Sequence, residues 1–211
     1  MPKNTRKKTT KKPTAATQKT REGDQQLRII GGQWRGRKLS IANVDGLRPT
    51  GDRIRETLFN WLTGYVANSH CLDLFAGSGA LGFECLSRGA AQVTLLEKHP
   101  QAAAQLRQHQ QQLSSEQNSD VIETDTLTWL NDKHHPSTPV DIVFLDPPFA
   151  GDLWDQAIKQ LEENIALSNR AIIYIETPKN KVVAIPSHWL VLKEKTSGQV
   201  CYRLFQRNTP P

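Results

Sequence analysis

The chain has 211 residues, of which 37% are hydrophobic, and a formal net charge of +6. This length fits one domain with appendages and is enough to bury a sizeable core. No apolar run approaches the roughly 18 residues of a membrane span, and no secretory signal is visible, so we expect a cytoplasmic protein that does not enter a membrane. The cysteines Cys71, Cys85 and Cys201 are scattered, which predicts reduced core residues, and the histidines lack metal-ligand spacing, so we expect no metal.

The positive charge is concentrated at the start of the chain. Residues 1–22 contain eight Lys or Arg and one Glu, and residues 23–65 contain seven basic and four acidic residues, whereas the remainder has a net negative charge. Residues 1–24 have no apolar period, so we expect a disordered basic arm that binds a polyanion. A solubilising tail and a mitochondrial transit peptide are the alternatives.

The segment Leu27–Leu39, LRIIGGQWRGRKL, predicts a small β-hairpin bent at Gly31–Gly32 or at Gly36. A basic cluster surrounds Trp34, and its members are Arg35, Arg37 and Lys38. Basic side chains around an aromatic ring suit contact with an RNA backbone and stacking on a base. The alternative is a solvated charged hairpin with Trp34 packed inward.

The segment Leu47–Leu62, LRPTGDRIRETLFNWL, predicts a helix with Thr50 or Asp52 as its N-cap. Its apolar residues recur on one face, and they are Ile54, Leu58, Trp61 and Leu62. We expect Arg53 and Arg55 to project away from that face. We include Arg48 and Arg53 among the RNA-binding residues and treat residues 25–65 as an N-terminal RNA-binding extension.

From Cys71 onward, predicted strands and helices alternate. We expect strands near 71–76, 92–97, 120–124, 140–146 and 170–176, and helices near 80–88, 100–113, 126–132 and 153–165. This alternation predicts an α/β domain over residues 66–211 with a parallel sheet and helices on both faces. The runs Trp189–Lys195 and Gln199–Gln206 predict a terminal hairpin whose last strand inserts antiparallel.

A glycine turn follows the first strand of this domain, where Gly77, Gly79 and Gly82 have the spacing Gly-x-Gly-x-x-Gly. Glycines permit a sharp turn and close approach of a ligand, and the following helix N-terminus offers free N–H groups. Glu97, at the end of the next predicted strand, is placed to accept hydrogen bonds from a ribose. The pattern alone is also compatible with an NAD-dependent enzyme.

Four acidic residues fall where predicted strands end, and they are Asp73, Glu97, Asp125 and Asp146. We expect the strands of Asp73 and Asp146 to be neighbours, so that both open on the crevice where such sheets bind ligands. A cationic, ribose-bearing cofactor such as S-adenosylmethionine explains three of the acids. Asp73 would bind its methionine part, Glu97 its ribose and Asp125 its adenine amine, although Asp125 is equally suited to be a helix N-cap.

The motif Asp146–Phe149, Asp-Pro-Pro-Phe, follows the apolar run Ile142–Leu145. Two prolines make a rigid loop and leave backbone carbonyls free to accept hydrogen bonds. The Asp146 carboxylate and the Pro147 carbonyl would orient an exocyclic amine of a base toward a methyl donor, and Phe149 would stack on a base taken out of its stack.

Five segments together resemble the RsmD-type 16S rRNA guanine-N2 methyltransferases of bacteria. They are LRIIGGQWRGRKL at 27–39, LRPTGDRIRETLFNWL at 47–62, LDLFAGSGALGFECLSRG at 72–89, DIVFLDPPF at 141–149 and GQVCYRLFQR at 198–207. The resemblance implies a class I S-adenosylmethionine-dependent methyltransferase fold, a Rossmann-like, mostly parallel seven-stranded sheet with an antiparallel terminal strand.

The resemblance also implies a reaction and a set of site residues. The reaction is methyl transfer from S-adenosylmethionine to the N2 amine of one guanine in 16S rRNA, presented by the 30S subunit or a late assembly intermediate. The implied cofactor-binding residues are Asp73, Phe75, Gly77, Gly79, Gly82, Glu97 and Asp125, and the implied catalytic residues are Asp146, Pro147, Pro148 and Phe149. The basic arm departs from the family's usual short start.

Two other functions fit parts of the sequence. The Asp-Pro-Pro-Phe motif also suits a DNA adenine or cytosine amino-methyltransferase, although the chain lacks room for a separate DNA-recognition domain. A ribosome-assembly factor that keeps the fold without catalysis is the non-enzymatic alternative. We expect the protein to act as a monomer.

Overall fold

The structure, a computed structural model, describes residues 26–44, 51–132 and 138–208. The strands are β1 (Gln26–Arg28), β2 (Lys38–Ser40), β3 (His70–Asp73), β4 (Gln92–Glu97), β5 (Ser119–Glu123), β6 (Val140–Leu145), β7 (Leu167–Pro178), β8 (Trp189–Ser197) and β9 (Val200–Arg207). The helices are α1 (Asp52–Trp61), α2 (Gly82–Ser87), α3 (Pro100–Leu113), α4 (Thr126–Leu130) and α5 (Trp154–Asn164), with a short 3-10 turn at Phe149–Gly151.

Seven strands form the central sheet in the order β5-β4-β3-β6-β7-β9-β8. Strands β3 to β7 pair in parallel, while β9 inserts between β7 and β8 and runs antiparallel to both. The predicted α/β sheet with an inserted antiparallel last strand is therefore confirmed. The strand that ends in Asp73 is β3, and the strand that precedes Asp146 is β6. These two strands pair, so they are neighbours, as predicted.

The hairpin of β1 and β2 and the helix α1 pack on one face of this sheet. Their buried apolar residues form one core with residues of β3, β4, β6, β7 and β9; from the hairpin and α1 these are Leu27, Ile29, Leu39, Leu58 and Phe59. Phe59 lies 6.5 Å from Phe144 of β6, and Trp61 stacks at 5.3 Å on Tyr202 of β9. The other face of the sheet is covered by α4 and α5 with a second core.

Two predictions about α1 are wrong. Asp52 is not the N-cap: Gly51 occupies that position without a side-chain cap, and Asp52 pairs with Arg55 one turn later. Arg55 does not project into solvent either, because it is 1% exposed and donates to the backbone carbonyl of Arg28. Glu84 of the neighbouring helix α2 lies 4.0 Å from Arg55 Nη1. This anion helps to explain the burial of Arg55, because a buried guanidinium requires an anion and hydrogen bonds.

Some predictions concern residues outside the described ranges. The basic arm at 1–24, Arg48 and Thr50 are among them. The proposed boundaries of an extension at 25–65 and a main domain at 66–211 stay a prediction. No helix within residues 26–44, 51–132 and 138–208 is long and apolar enough to cross a membrane.

Candidate active site

The carboxyl ends of β3, β4 and β6 form one edge of the sheet, and the predicted site residues follow these ends. Asp73 ends β3, Glu97 ends β4, and Asp146 comes directly after β6. Asp125 follows β5 at the start of α4. Because parallel strands all point the same way, the four acids are brought to one edge, as the sequence predicted.

Asp73 is buried inside the turn that follows β3. Its Oδ2 accepts a hydrogen bond of 3.2 Å from the Gly82 N–H at the first turn of α2, and the backbone of Phe75 also bonds to the carboxylate. Burial and then the negative charge of Asp146 raise the pKa of Asp73 from 3.8 to about 7, against the lowering effect of those hydrogen bonds. A cationic group bound beside Asp73 would restore its ionised form, because opposite charges favour ionisation.

Backbone conformation and close packing explain why glycine occupies the three positions of the turn. Gly77 and Gly79 have positive φ values of 54° and 77°, which L side chains rarely adopt. A Cβ on Gly79 would lie 2.5 Å from the Phe83 ring, and one on Gly82 would lie 2.7 Å from Leu95 of β4. Gly79 and Gly82 therefore let α2 pack tightly on its neighbours, and the approach of a ligand to the turn stays a prediction.

Glu97 links the end of β4 to the glycine turn. Its Oε2 accepts the Gly77 N–H at 2.8 Å, and its Oε1 accepts the His99 N–H at 2.7 Å just before α3. The side chain is half-buried. Glu97 thus ties the glycine turn to the start of α3, and its contact with a ribose stays a prediction.

Asp125 is the N-cap of α4. Its Oδ1 accepts the Thr128 N–H at 3.1 Å, and Lys98 Nζ lies 2.9 Å from its Oδ2. The hydrogen bond from Lys98 lowers the pKa of Asp125. Partial burial opposes this shift, and the hydrogen bonds from Thr128 add to it. The N-cap alternative is confirmed, while a contact between Asp125 and an adenine amine stays a prediction.

The loop Asp146–Phe149 leaves the sheet beside Asp73. Asp146 is half-buried and Pro147 is buried, whereas Pro148 is exposed and the ring of Phe149 is 45% exposed. The Pro148 carbonyl accepts the Gly151 N–H at 3.1 Å, and no described residue donates a hydrogen bond to the Pro147 carbonyl. The loop thus presents an acidic side chain, a backbone acceptor and an aromatic ring on one short, rigid segment.

The segment after β7 supports this loop from the side. Lys181 Nζ lies 2.6 Å from Asp152 Oδ1 and 5.8 Å from the centre of the Trp154 ring. Trp154 in turn lies 6.0 Å from Phe149. Sequence reasoning did not single out Lys181, because its partners are joined only by the fold.

Two buried acids were also missed by the sequence analysis. Glu176 at the end of β7 is 4% exposed, and its Oε1 accepts the Tyr174 hydroxyl at 2.6 Å. Glu84 in α2 is fully buried, bonded to Arg88 Nε at 2.7 Å and to the Ile30 N–H at 2.8 Å, with Arg55 Nη1 at 4.0 Å. Each of these acids lies within an apolar segment of the sequence, and that position could have indicated a buried carboxyl group.

The basic cluster of the hairpin lies away from the carboxyl edge of the sheet. Arg35, Arg37 and Lys38 are exposed, and Arg37 Nη1 donates to the Gln112 carbonyl at the end of α3. Since α3 begins beside Glu97 and a helix rises about 1.5 Å per residue, Arg37 lies roughly 18 Å farther along the molecule. Trp34 is half-buried against the core, which favours the inward-packed alternative, and Arg53 is exposed at the start of α1.

The strand order and the acids at the carboxyl edge define the class of the fold. A mostly parallel seven-stranded sheet with an inserted antiparallel strand, a glycine turn after its central strand and an Asp-Pro-Pro-Phe loop on the neighbouring strand is the class I S-adenosylmethionine-dependent methyltransferase fold. Among the described residues, no group of three or more His, Cys, Asp or Glu side chains is arranged to hold a metal ion.

Comparisons with known proteins identify the family. The family described as conserved hypothetical protein 95 matches residues 27–206, and the chain belongs to it; this is the RsmD family that the motifs indicated. Ribosomal RNA small subunit methyltransferase D of Haemophilus influenzae is 54% identical over 184 residues, which cover 86% of this chain and 94% of that protein.

Two solved structures have the same fold. The structure of yhhF from Escherichia coli is 47% identical, with a TM-score of 0.78, and the match covers 88% of this chain and 100% of that one. The structure of SMU.776, complexed with SAH, is 16% identical with a TM-score of 0.66, and the match covers 80% of this chain and 53% of that one. At that identity the likeness to SMU.776 concerns the fold alone.

Proposed function

We propose that this protein transfers a methyl group from S-adenosylmethionine to the exocyclic N2 amine of one guanine in the 16S rRNA of the small ribosomal subunit. The observation that carries the proposal is the pairing of β3 with β6, which brings Asp146 close to the buried Asp73, with Phe149 on the same loop as Asp146. A cofactor site and a loop suited to orient an amine thus share one edge of the sheet.

The residues present fit S-adenosylmethionine. Asp73, whose pKa is raised to about 7 by burial and then by the charge of Asp146, matches the ammonium group of the methionine part, which would favour its ionised form. Glu97, beside the Gly77 N–H, matches the ribose hydroxyls, and Phe75 and Asp125 flank the same edge. The bound cofactor supplies an electrophilic methyl group on a sulfonium.

The Asp-Pro-Pro-Phe loop then acts on the acceptor amine. The lone pair of a guanine N2 amine is delocalised into the ring, which makes it a poor nucleophile. Hydrogen bonds from its two N–H groups to the Asp146 carboxylate and the Pro147 carbonyl would turn the lone pair out of the ring plane and toward the methyl group. Stacking on the exposed Phe149 ring would hold the base out of its stack while the loop orients the amine.

The target class is inferred from the relatives. The Haemophilus influenzae relative, at 54% identity across most of both chains, is a ribosomal RNA small subunit methyltransferase by name. The exposed basic residues of the hairpin and of α1 are proposed to contact an RNA backbone, and they are Arg35, Arg37, Lys38 and Arg53. Arg48, which lies outside the described residues, is a further proposed member. We propose a monomer acting in the cytoplasm on the 30S subunit or a late assembly intermediate.

Mass spectrometry of nucleosides tests this proposal. Small-subunit rRNA and genomic DNA from a strain lacking the protein would be compared with those from the parent strain and from a strain that expresses Asp146→Ala. We expect N2-methylguanosine at one rRNA position to disappear in both altered strains. Loss of a methylated base from DNA instead would support the DNA amino-methyltransferase alternative, and unchanged nucleosides would contradict catalysis.

A further inference from the structure

The register of the sheet places a second carboxyl group beside the catalytic loop. Phe144 of β6 pairs with Tyr174 of β7, and Leu145 pairs with Ile175. Continuing this register by one residue brings Asp146 next to Glu176. Since side chains alternate along a strand, both acids point to the face that carries Phe144 and Tyr174, whose rings lie 6.2 Å apart.

Glu176 is held in one orientation. Its Oε1 accepts the Tyr174 hydroxyl at 2.6 Å, and its backbone carbonyl accepts the Trp154 indole N–H at 2.7 Å. Trp154 lies against Phe149, so the same contacts tie Glu176 to the proposed base-stacking ring. Among the described residues, no basic side chain forms an ion pair with Glu176.

The environment keeps Glu176 uncharged near neutral pH. Burial first, and then the negative charge of Asp146, raise its pKa from 4.5 to about 8, although the hydrogen bond from Tyr174 opposes the shift. A neutral carboxyl group has one O–H donor and one carbonyl acceptor side by side. Because Tyr174 donates to Oε1, the proton of the neutral acid is left on Oε2.

The Watson–Crick edge of guanine has a matching order of groups. It presents the O6 acceptor, the N1–H donor and the N2 amine in a row, whereas adenine has an amine at position 6 and an acceptor at N1. Enzymes that act on a base taken out of its stack read it on this edge. A neutral carboxyl beside the Asp146 carboxylate can donate to O6 and accept from N1–H while Asp146 accepts from N2.

We propose that Glu176 is the residue that selects guanine, by pairing with O6 and N1–H of the target base while Asp146 and Pro147 hold its N2 amine. This inference rests on the proposed function. Tyr174 acts as a positioning residue, since it fixes the carboxyl orientation without touching the base. Burying a carboxyl whose one side-chain hydrogen bond among the described residues comes from a tyrosine is costly, and a purely structural position would avoid that cost with an apolar residue.

Substrate analogues at the methylated position test the assignment. Small subunits would be reconstituted with guanine or with 2-aminopurine at that position, because 2-aminopurine keeps the amine but lacks O6 and N1–H. The kcat/KM for each would be measured with the wild-type protein, Glu176→Ala, Glu176→Gln and Tyr174→Phe. Glu163→Ala, which changes an exposed acid on α5, is the control, and thermal melting verifies that each variant is folded.

We expect the variants to change the preference for guanine over 2-aminopurine and not to lower kcat/KM equally for both substrates. Glu176→Ala should reduce the preference for guanine over 2-aminopurine about 10–100-fold, the usual effect of losing a bidentate base contact. Glu176→Gln, whose amide offers the same donor and acceptor, should keep the preference within several-fold. Tyr174→Phe should weaken it by an intermediate amount, and Glu163→Ala should leave it unchanged.

Other outcomes would overturn the inference. Equal loss on both substrates in Glu176→Ala would assign the residue to folding alone, and an unchanged preference would remove it from base selection. If Glu176→Ala does not fold, the other two variants decide. A preference for guanine that is kept in Glu176→Gln and weakened in Tyr174→Phe would support the inference, and an unchanged preference in Tyr174→Phe would contradict it. Failure of the wild-type protein to methylate any small subunit would contradict the proposed function itself, which is a separate and recognisable result.

Discussion

At the scale of single residues, Asp73 couples the cofactor site to pH. The ammonium group of S-adenosylmethionine would favour the ionised form of the Asp73 carboxyl, whose pKa is raised to about 7. Protons must leave Asp73 when the cofactor binds below that pH. Affinity for S-adenosylmethionine should therefore fall as the pH falls through 7, by up to about tenfold per pH unit.

Calorimetry between pH 5.5 and 8.5 would measure this dependence. S-adenosylhomocysteine, which keeps the ammonium group that Asp73 would bind, should show a similar dependence, and Asp73→Asn should remove most of it for both ligands while weakening binding at high pH. A pH profile that is unchanged in the Asp73→Asn variant would contradict a role for the Asp73 charge.

Asp146 is expected to act on the acceptor and not on the cofactor. Asp146→Ala should lower single-turnover methyl transfer to small subunits by about 100-fold or more, because it removes a preorganised acceptor from the amine. Cofactor affinity should stay within several-fold of the wild-type value. Asp120→Ala, an exposed change on β5, is the control, and wild-type rates in Asp146→Ala would refute the assignment.

At the scale of secondary-structure elements, a buried ionic cluster joins the hairpin, α1 and α2. Glu84 contacts Arg88 and the Ile30 N–H and lies 4.0 Å from Arg55, and both Glu84 and Arg55 are 0–1% exposed. Removing one member of a buried charged pair leaves the other without compensation. The glycine turn precedes α2 directly, so this cluster also supports the cofactor site from behind.

The Glu84→Ala variant tests the cluster. We expect it to lower the free energy of unfolding by roughly 3–5 kcal/mol, because Arg55 and Arg88 lose their shared anion. Urea titrations of the wild-type protein, of Glu84→Ala and of Glu56→Ala, an exposed change on α1, would measure the difference. A loss below about 1 kcal/mol would mean that the cluster contributes little to stability.

At the scale of the whole molecule, the charge of the chain is divided between an acidic body and a basic front end. Residues 1–22 carry a net charge of +7 from eight basic residues and one acidic residue, and they lie outside the described residues. If this arm binds rRNA, it does so by neutralising phosphates and releasing counterions. The contribution of the arm to the affinity for small subunits should then depend on salt concentration, whereas the affinity of the cofactor site for S-adenosylmethionine should not.

Deletion of residues 1–22 should weaken binding to small subunits most at low salt and hardly at all at high salt. We expect the slope of log K against log salt to change by roughly 2–4 units, given about 0.7–0.9 units per phosphate contact and incomplete engagement of a long arm. Binding isotherms across a salt series would measure it. Parallel lines for the full-length and truncated proteins would leave the arm as a solubilising tail.

Local patterns in the sequence determined the alternation of strands and helices, the glycine turn and the position of Asp146 at a strand end. These depend on residue spacing along the chain, since alternating apolar runs and glycines act over short distances. The sequence also predicted that the strands of Asp73 and Asp146 are neighbours and that the last strand is antiparallel, because parallel strands with helical connections leave few topologies. The full strand order β5-β4-β3-β6-β7-β9-β8 was known only from the tertiary structure.

Only the tertiary structure decided which polar side chains are buried and what they face. Arg55 reads as a surface residue along α1, and its burial arises from Glu84, 29 positions later in the chain. Glu176 reads as a polar residue near the end of an apolar strand, and its raised pKa arises first from burial and then from the charge of Asp146, which follows the neighbouring strand. Charge and desolvation act through space, so their partners are known only when strand register and helix packing are known.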